Sequence, residues 1–321
     1  MKRSLVTGAT GFIGRALCNA LFERGDNVVA TSLHGGALSS ELPVQALDLS
    51  KKESLDPSLL RDVDCVYHLA GIAHQFANLE TYQAVNVQAT LALAAAASAA
   101  GVKQFVFLSS VKAMGFESTN SASAEADVSE ISADTDPYGW SKQYAEQQLL
   151  ANFANDVMRI HIVRPALVYG PGAKGNLATL MRTSRFSLGR PPLGGVRSMI
   201  ALSDLVALLM QLEPSESHGF QTWIATDNEQ YSARRLYDAL RSAQDLAPAA
   251  VTLPGVVWRI AGWLRDLRHG APRGSTWQKL AGTELYSNQK LVDELPFTPT
   301  LKFEDVAPSM VEYERAHGDA E

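Results

Sequence analysis

The sequence predicts an α/β fold, a doubly wound parallel sheet with a smaller C-terminal unit, and three observations predict it. A short apolar run, Ser4 to Thr7, passes over three evenly spaced glycines into a helical pattern. Up to about residue 166, apolar β runs alternate with segments of helical periodicity, the rhythm of βαβ units. Beyond residue 167 the elements shorten and are separated by Pro and Gly turns. The expected division is 1–166 for the doubly wound unit and 167–321 for the second, with about 198–215 returning to the first.

In the opening stretch Gly8, Gly11 and Gly14 recur every third position, and Phe12, Ile13, Ala16, Leu17, Ala20 and Leu21 follow in pairs four apart. A turn without Cβ atoms lets the N–H groups of a helix N-terminus approach a pyrophosphate, where the helix dipole favours negative charge. In the context of strand, turn and helix this is a dinucleotide site, and the fold is Rossmann-type. Gly25 suits a helix C-terminus, and Val28 to Thr31 is a second β run. An NAD site usually has an acid about 20 residues beyond the glycines to bind the adenosine ribose. Here Ser32, Leu33 and His34 stand there, with no acid until Glu41, while Arg15 follows Gly14 directly and suits a 2′-phosphate. The cofactor is therefore read as NAD(P), leaning to NADP(H).

A third β run ends at Leu47-Asp48-Leu49, and a fourth, Cys65 to Leu69, leads into Ala70-Gly71. Residues 79–100 read as a long helix, Ala-rich from Ala89 and closed by Gly101. Phe105 to Leu108 is a fifth strand running into Ser109-Ser110. From Gly115 to Asp136 the acids Glu117, Glu125, Asp127, Glu130, Asp134 and Asp136 occur without a base, so a solvated loop outside the site is expected. Asp136 suits an N-cap and Pro137 the first position of a helix to about Asn152. Met158 to Val163 is a sixth strand, followed by Arg164-Pro165. Ligands of such a sheet sit beyond the strands' carboxyl ends, where Gly8 to Gly14, Gly71, Ser109-Ser110 and Arg164-Pro165 fall.

Whole-chain properties narrow the function. A 46% hydrophobic, 19% charged composition over 321 residues is that of a folded globular protein, and the net charge of −6 lacks the basic footprint of a general nucleic-acid binder. No apolar run approaches the ~20 residues of a membrane span, and MKRSLVTG enters the first strand without a signal peptide, so the expected compartment is the cytoplasm. Cys18 and Cys65 read as core residues, and no metal-ligand spacing is visible.

Tyr138 and Lys142, four apart at the start of a helix, stack on one face. Lowering a phenol from its usual pKa near ~10 by about three units takes roughly 4 kcal/mol, which a close ammonium in a water-poor site supplies. Such a pair can pass a proton to or from a sugar hydroxyl.

Several strings carry a family likeness: TGATGFIG, the Asp48-Leu49 pair, HLAG at 68–71, VNVQAT at 85–90, FLSSVKAMG at 107–115, YGWSK at 138–142 and RPALVYGPG at 164–172. Together they resemble the extended short-chain dehydrogenase/reductases, specifically the NAD-dependent epimerase/dehydratase group acting on nucleotide sugars. The resemblance implies Tyr138 as acid/base, Lys142 as the group that lowers its pKa and holds the nicotinamide ribose, and Ser110 on the reacting oxygen. It further implies that Asp48 and Leu49 flank the adenine and that Leu69, Ala70 and Gly71 lie on the pyrophosphate side. Asn86 and Pro165 are implied beside the cofactor, with Gly8, Gly11, Phe12, Ile13, Gly14, Arg15 and Ser32 completing its site. Asn176, Leu177 and Arg197 are the implied nucleotide-sugar contacts, the Arg fork matching diphosphate oxygens; a surface Arg and a loop Asn are the plainer alternative. The family also implies a homodimer through 79–100 and 138–152.

Two departures bear on the reaction. Leu167 stands where sugar 4-epimerases commonly have Asn, and Ala73 where members that retain NAD place Lys. A UDP-4-keto-6-deoxy-HexNAc 4-reductase of surface polysaccharide (O-antigen) synthesis is therefore the expectation, since SSVKAMG, GPGAKGN and RSM also resemble a subgroup holding such reductases. A UDP-sugar 4-epimerase with tightly bound NAD and a non-catalytic NAD(P)-sensing protein are the alternatives.

Finally, Val257, Ile260, Leu264 and Leu267 fall at helical spacing alongside Trp258 and Trp263, amid Arg259, Arg265, Arg268, His269, Arg273 and Lys279. A cap helix with its apolar face buried is expected, and an interfacial helix on a lipid surface is the alternative.

Overall fold

The computed structural model of the chain describes residues 1–51, 55–73, 77–115, 121–186, 190–212, 219–249, 252–268, 277–278 and 281–317. Glu117, His269, Arg273 and Lys279 lie outside them, as does the side chain of Arg265.

Strand β1 (Arg3–Thr7) enters α1 (Phe12–Glu23), which buries Gly14, Leu17, Cys18 and Leu21, one face of a 3.6-residue repeat. After Gly25, at φ +88°, β2 (Asn27–Ser32) returns parallel to β1. The third β run is more than a single strand: β3 (Gly36–Ser39) pairs antiparallel with β4 (Leu42–Ala46), and β4 adds in parallel to β2. The chain then crosses to the other side of β1, where β5 (Cys65–His68) pairs with it, so β1 lies at the switch point.

The long helix expected over 79–100 is α2 (Leu79–Tyr82), a π-helical stretch Gln83–Gln88 and α3 (Ala89–Ala99), with Asn78 accepting from Thr81 N at 2.9 Å. Strand β6 (Gln104–Leu108) follows, then α4 (Pro137–Phe153), whose cap Asp136 accepts from Gly139 N at 2.9 Å. Strand β7 (Arg159–Pro165) takes in the Arg-Pro pair expected just beyond it.

The later segment holds β8 (Leu167–Tyr169), α5 (Asn176–Ser184), β9 (Val196–Arg197), β10 (Met199–Ala201), α6 (Leu202–Gln211), β11 (Phe220–Ala225), β12 (Tyr231–Ser232), α7 (Ala233–Ala243), α8 (Gly255–Arg268) and helices Gln289–Glu294 and Phe303–His317. The main sheet runs β11-β7-β6-β5-β1-β2-β4-β3. Strand β11 thus extends the sheet beside β7, a contribution of the later segment that its short, turn-rich pattern does not announce.

One core joins Leu17 and Leu21 of α1 to Leu205 and Leu209 of α6, and a second joins Phe105 and Phe107 to Leu93, Ala97, Ala145 and Leu149 of α3 and α4. The alanines let α3 approach closely. A third cluster, including Tyr169, Leu177, Tyr231 and Phe303, lies in the later segment.

Two expectations need correction. The described part of the acid-rich segment, 121–136, is largely exposed yet anchored: Glu125 accepts from Ile224 N at 2.9 Å, its carbonyl accepts from Arg164 at 2.9 Å, and Ile131 is buried. A lone Glu pairs with a strand edge that sequence spacing does not reveal. Helix α8 exists, but its apolar positions are not covered: Ile260 is 55% exposed and Leu267 65%. Periodicity marks the apolar face and not the direction in which it points.

Glycine substitutions separate two kinds of constraint. A Cβ on Gly14 would overlap the Gly8 carbonyl oxygen, and backbone cannot give way, whereas at Gly25 nothing lies within 4 Å and only the left-handed backbone is strained. Gly14→Ala is expected to lose about 3 kcal/mol or more, and Gly25→Ala only about 1 kcal/mol, as read from thermal unfolding midpoints.

Candidate active site

The site forms where β1, β5 and β6 end. Gly8, at φ +70°, turns the chain so that Gly11 N donates to its carbonyl at 3.0 Å, and a Cβ there would stand 2.8 Å from Ala70 N. Helix α1 begins at Gly11 with no side-chain cap and no acid in its first turn. Its first N–H groups, at Phe12 and Ile13, therefore lack a partner within the helix and can serve an anion. Phe12 packs toward the third cluster and Ile13 on the first, while Arg15 is exposed beside the turn.

At the end of β2, Ser32 is buried and its carbonyl accepts from Gly35 and Leu47, while Leu33 and His34 are exposed. Asp48 accepts from Ser50 Oγ at 2.6 Å and pairs with Lys51 at 3.2 Å, and these bonds hold its carboxyl below the usual range. Leu49 beside it is half-buried. Past β5, Leu69 and Ala70 are half-buried and Gly71 is exposed; a Cβ on Gly71 would lie 3.1 Å from Asn86 Oδ1 and 3.4 Å from Lys142 Nζ. Pro165 is buried at the end of β7, in register with Ala225. The bare glycine turn, the N–H donors at the helix start and the room at Gly71 fit a dinucleotide, with Arg15 and Lys142 as the nearby cations.

Ser110 opens a 3₁₀ turn, Val111–Met114, after β6, and its hydroxyl accepts from Lys112 N at 3.1 Å. Its side chain lies beside the Tyr138 phenol and favours the ionised form. Burial pushes that phenol up to about 12, with Ser110 opposing. Lys142, one helical turn later, is buried; Nζ donates to the Leu108 carbonyl at 2.9 Å and stands 4.6 Å from the centre of the Phe107 ring. Burial lowers its ammonium to about 8, with the Glu146 carboxylate opposing. The expected lowering of the phenol by the ammonium is thus absent from the protein alone. Desolvation dominates both groups, and it leaves the phenol the proton holder of the pair.

Sequence reasoning missed the groups behind these two. Glu146, four residues beyond Lys142, is buried, pairs with Arg164 at 2.6 Å and accepts from the Ser109 hydroxyl. The repeat of four from Tyr138 through Lys142 to Glu146 was the available signal. Arg164, expected at the crevice mouth, is instead the buried partner of that carboxylate. His68 is also fully buried, its Nδ1 2.8 Å from Thr7 Oγ1 and its Nε2 2.9 Å from Thr90 Oγ1. Asn86, likewise fully buried, accepts from Ile72 N at 2.8 Å and donates to Ser141 Oγ at 2.9 Å.

The implied substrate residues lie in the later segment. Asn176 is exposed at the start of α5 behind Gly175, Leu177 is buried in the third cluster, and Arg197 sits half-buried on β9, paired with Tyr231.

Lys142 also makes stability depend on pH. Its folded pKa of about 8 lies below the ordinary 10.5, so the unfolded chain binds the extra proton between those values. The stability held above pH 10.5 is lost as pH falls toward 8, by on the order of 3 kcal/mol. The difference in unfolding free energy between wild type and Lys142→Met, measured from pH 7 to 10.5, is expected to follow that curve.

Comparison with known proteins agrees with this geometry. Residues 4–190 match the NAD dependent epimerase/dehydratase family. The chain is 31% identical over 274 residues to a UDP-glucose 4-epimerase of Vibrio cholerae, covering 82% of each. It is 28% identical over 181 residues to a UDP-2-acetamido-2,6-beta-L-arabino-hexul-4-ose reductase of Pseudomonas aeruginosa, covering 56% of this chain and 39% of that one. The fold matches that of a UDP-glucuronic acid 4-epimerase from Bacillus cereus in complex with NAD, with a TM-score of 0.76 at 22% identity over 98% of this chain and 99% of that one. With its glycine turn at the switch point and Ser110, Tyr138 and Lys142 at the end of β6 and the start of α4, the chain belongs to the NAD dependent epimerase/dehydratase family of extended short-chain dehydrogenase/reductase enzymes.

Proposed function

We propose that the protein reduces a UDP-4-keto-6-deoxy-HexNAc at C4, in surface polysaccharide (O-antigen) synthesis. The observation that carries this reading is the placement of Ser110 beside a Tyr138 phenol that burial pushes up to about 12, one helical turn from Lys142. A bound nicotinamide supplies the hydride. Tyr138 then gives its proton to the C4 oxygen as the carbonyl becomes an alcohol, Ser110 orients that oxygen, and Lys142, near about 8, returns a proton toward the phenol. General acid catalysis of this kind contributes roughly 10²–10⁴-fold.

Reduction is favoured over epimerisation by the residues around the cofactor. An epimerase must hold its dinucleotide through a full cycle, whereas a reductase releases it each turnover. Ala73 is exposed, Leu167 is 38% exposed, and no acid stands in Ser32, Leu33 and His34 at the end of β2. The exposed Arg15 suits a 2′-phosphate, so NADP(H) is the proposed form. The second reading is a UDP-sugar 4-epimerase with bound NAD, favoured by the Vibrio cholerae relative covering 82% of this chain. A purely NAD(P)-sensing role leaves the placement of Ser110 beside Tyr138 and Lys142 without a purpose.

In this reading, residues 1–166 hold the cofactor and 167–321 mainly the UDP-sugar, with 198–215 returning to the first unit. Asn176, Leu177 and Arg197 would meet the nucleotide. The enzyme would act in the cytoplasm as a homodimer through the helices at 79–100 and 138–152, where Leu150 is 52% exposed and Trp140 stacks on Tyr144 at 5.2 Å.

Incubation with NADPH or NADH and candidate UDP-4-keto sugars is expected to consume nicotinamide absorbance with one sugar. NAD bound through purification and turnover without added cofactor would establish the epimerase instead. Tyr138→Phe is expected to lower kcat roughly 10²–10⁴-fold with cofactor affinity unchanged. Arg15→Ala is expected to raise the KM for NADPH about tenfold and leave that for NADH unchanged.

A further inference from the structure

Helix α8 turns most of its apolar side chains away from the protein. The face it turns to the protein is narrow and mixed: Gly262 and Asp266 are buried, and Gly255 and the large Trp258 are half-buried. Its outward face carries Val256, Val257, Ile260, Trp263, Leu264 and Leu267, between 40% and 65% exposed. They recur at the spacing of one helical stripe, so the exposure is a continuous apolar face rather than scattered surface residues.

The charges beside this stripe select its occupant. Arg259 and Arg268 are exposed, while Asp266, the acid of this helix, is buried on the inward side. The exterior of α8 is thus apolar and cationic in a chain whose net charge is −6. A second copy packed symmetrically on this face would set arginine against arginine with no carboxylate from α8 between them. An anionic lipid surface instead offers both an apolar interior for the stripe and negative headgroups for the guanidinium groups. At 14 residues, about 21 Å long, the helix is too short to cross a bilayer and suited to lie along one. No helix among the described residues is long and apolar enough to cross a membrane.

We propose that α8 docks the protein on an anionic membrane surface, with the apolar stripe seated at the acyl boundary and Arg259 and Arg268 at the headgroups. This docking is independent of the reaction proposed above, because none of these residues belongs to the crevice at the strand ends.

The test is flotation of the full-length protein with vesicles of phosphatidylcholine alone or with about a third phosphatidylglycerol, at low and high salt. The protein is expected to float with the anionic vesicles and to be released by salt. Ile260→Glu/Leu264→Glu, at exposed positions, is expected to weaken vesicle binding ~tenfold or more while leaving turnover unchanged. Arg259→Gln and Arg268→Gln are each expected to weaken it about fivefold, on the anionic vesicles only. Failure of the wild type to float, or unchanged flotation of the double Glu variant, would overturn the proposal. So would self-association in lipid-free light scattering that the double Glu variant abolishes, since a second copy would then cover the stripe.

Discussion

The site depends on one chain of buried hydrogen bonds that ties the glycine turn to the reactive helix. Ala70 N donates to Thr7 Oγ1 at 3.2 Å, and Thr7 meets His68 Nδ1. On the far side of the imidazole, Thr90 donates its own proton to the Asn86 carbonyl at 2.8 Å, so His68 Nε2 must be the donor to Thr90 and Nδ1 the acceptor from Thr7. Asn86 continues the chain to Ser141, and Ser141 donates to the Tyr138 carbonyl at 2.8 Å. Every member has a partner and one consistent direction. Burial, reinforced by the charge of Lys142, lowers His68 to about 3 and keeps it in that neutral form. A satisfied network in a low-dielectric interior is stiff, because losing one member leaves the next unpaired.

That stiffness matters because the two sides of the crevice come from distant parts of the chain. The Gly8 turn rests on Ala70 with no room for a side chain, and Gly71 faces Lys142 across a gap that a Cβ would fill. The π-helical stretch places Asn86 at the point where β5, the loop after it and α4 meet. Such insertions are rare in helices and recur at functional sites, where they re-aim a side chain that regular geometry would misplace.

The proton chemistry follows from the same burial. An exposed tyrosine and lysine titrate close together, but here desolvation moves the phenol up to about 12 and the ammonium down to about 8. Glu146 resists the second movement and is itself held by Arg164 and Ser109, so the negative charge behind Lys142 is compensated rather than stranded. In the protein alone the proton therefore stays on the phenol, and a charged ligand beside the pair would shift both groups.

The sequence by itself determined the parallel α/β core, most strands to within two residues, the glycine turn, the cap at Asp136 and the one-turn spacing of Tyr138 and Lys142. These are local features: two-residue and 3.6-residue periods, turn glycines and one-turn spacings are written in neighbouring residues. Tertiary structure alone decided the rest. It added β11 to the sheet edge, made a hairpin of 36–46, drew Glu125 onto a strand, and turned Arg164 from the crevice into a core ion pair. It also set the direction in which α8 faces. Each of these depends on which segments meet across tens or hundreds of residues, and the balance between burial and charge at Tyr138 and Lys142 depends on the same contacts. A spacing of four names the pair, but only the surrounding atoms fix how tightly each holds its proton.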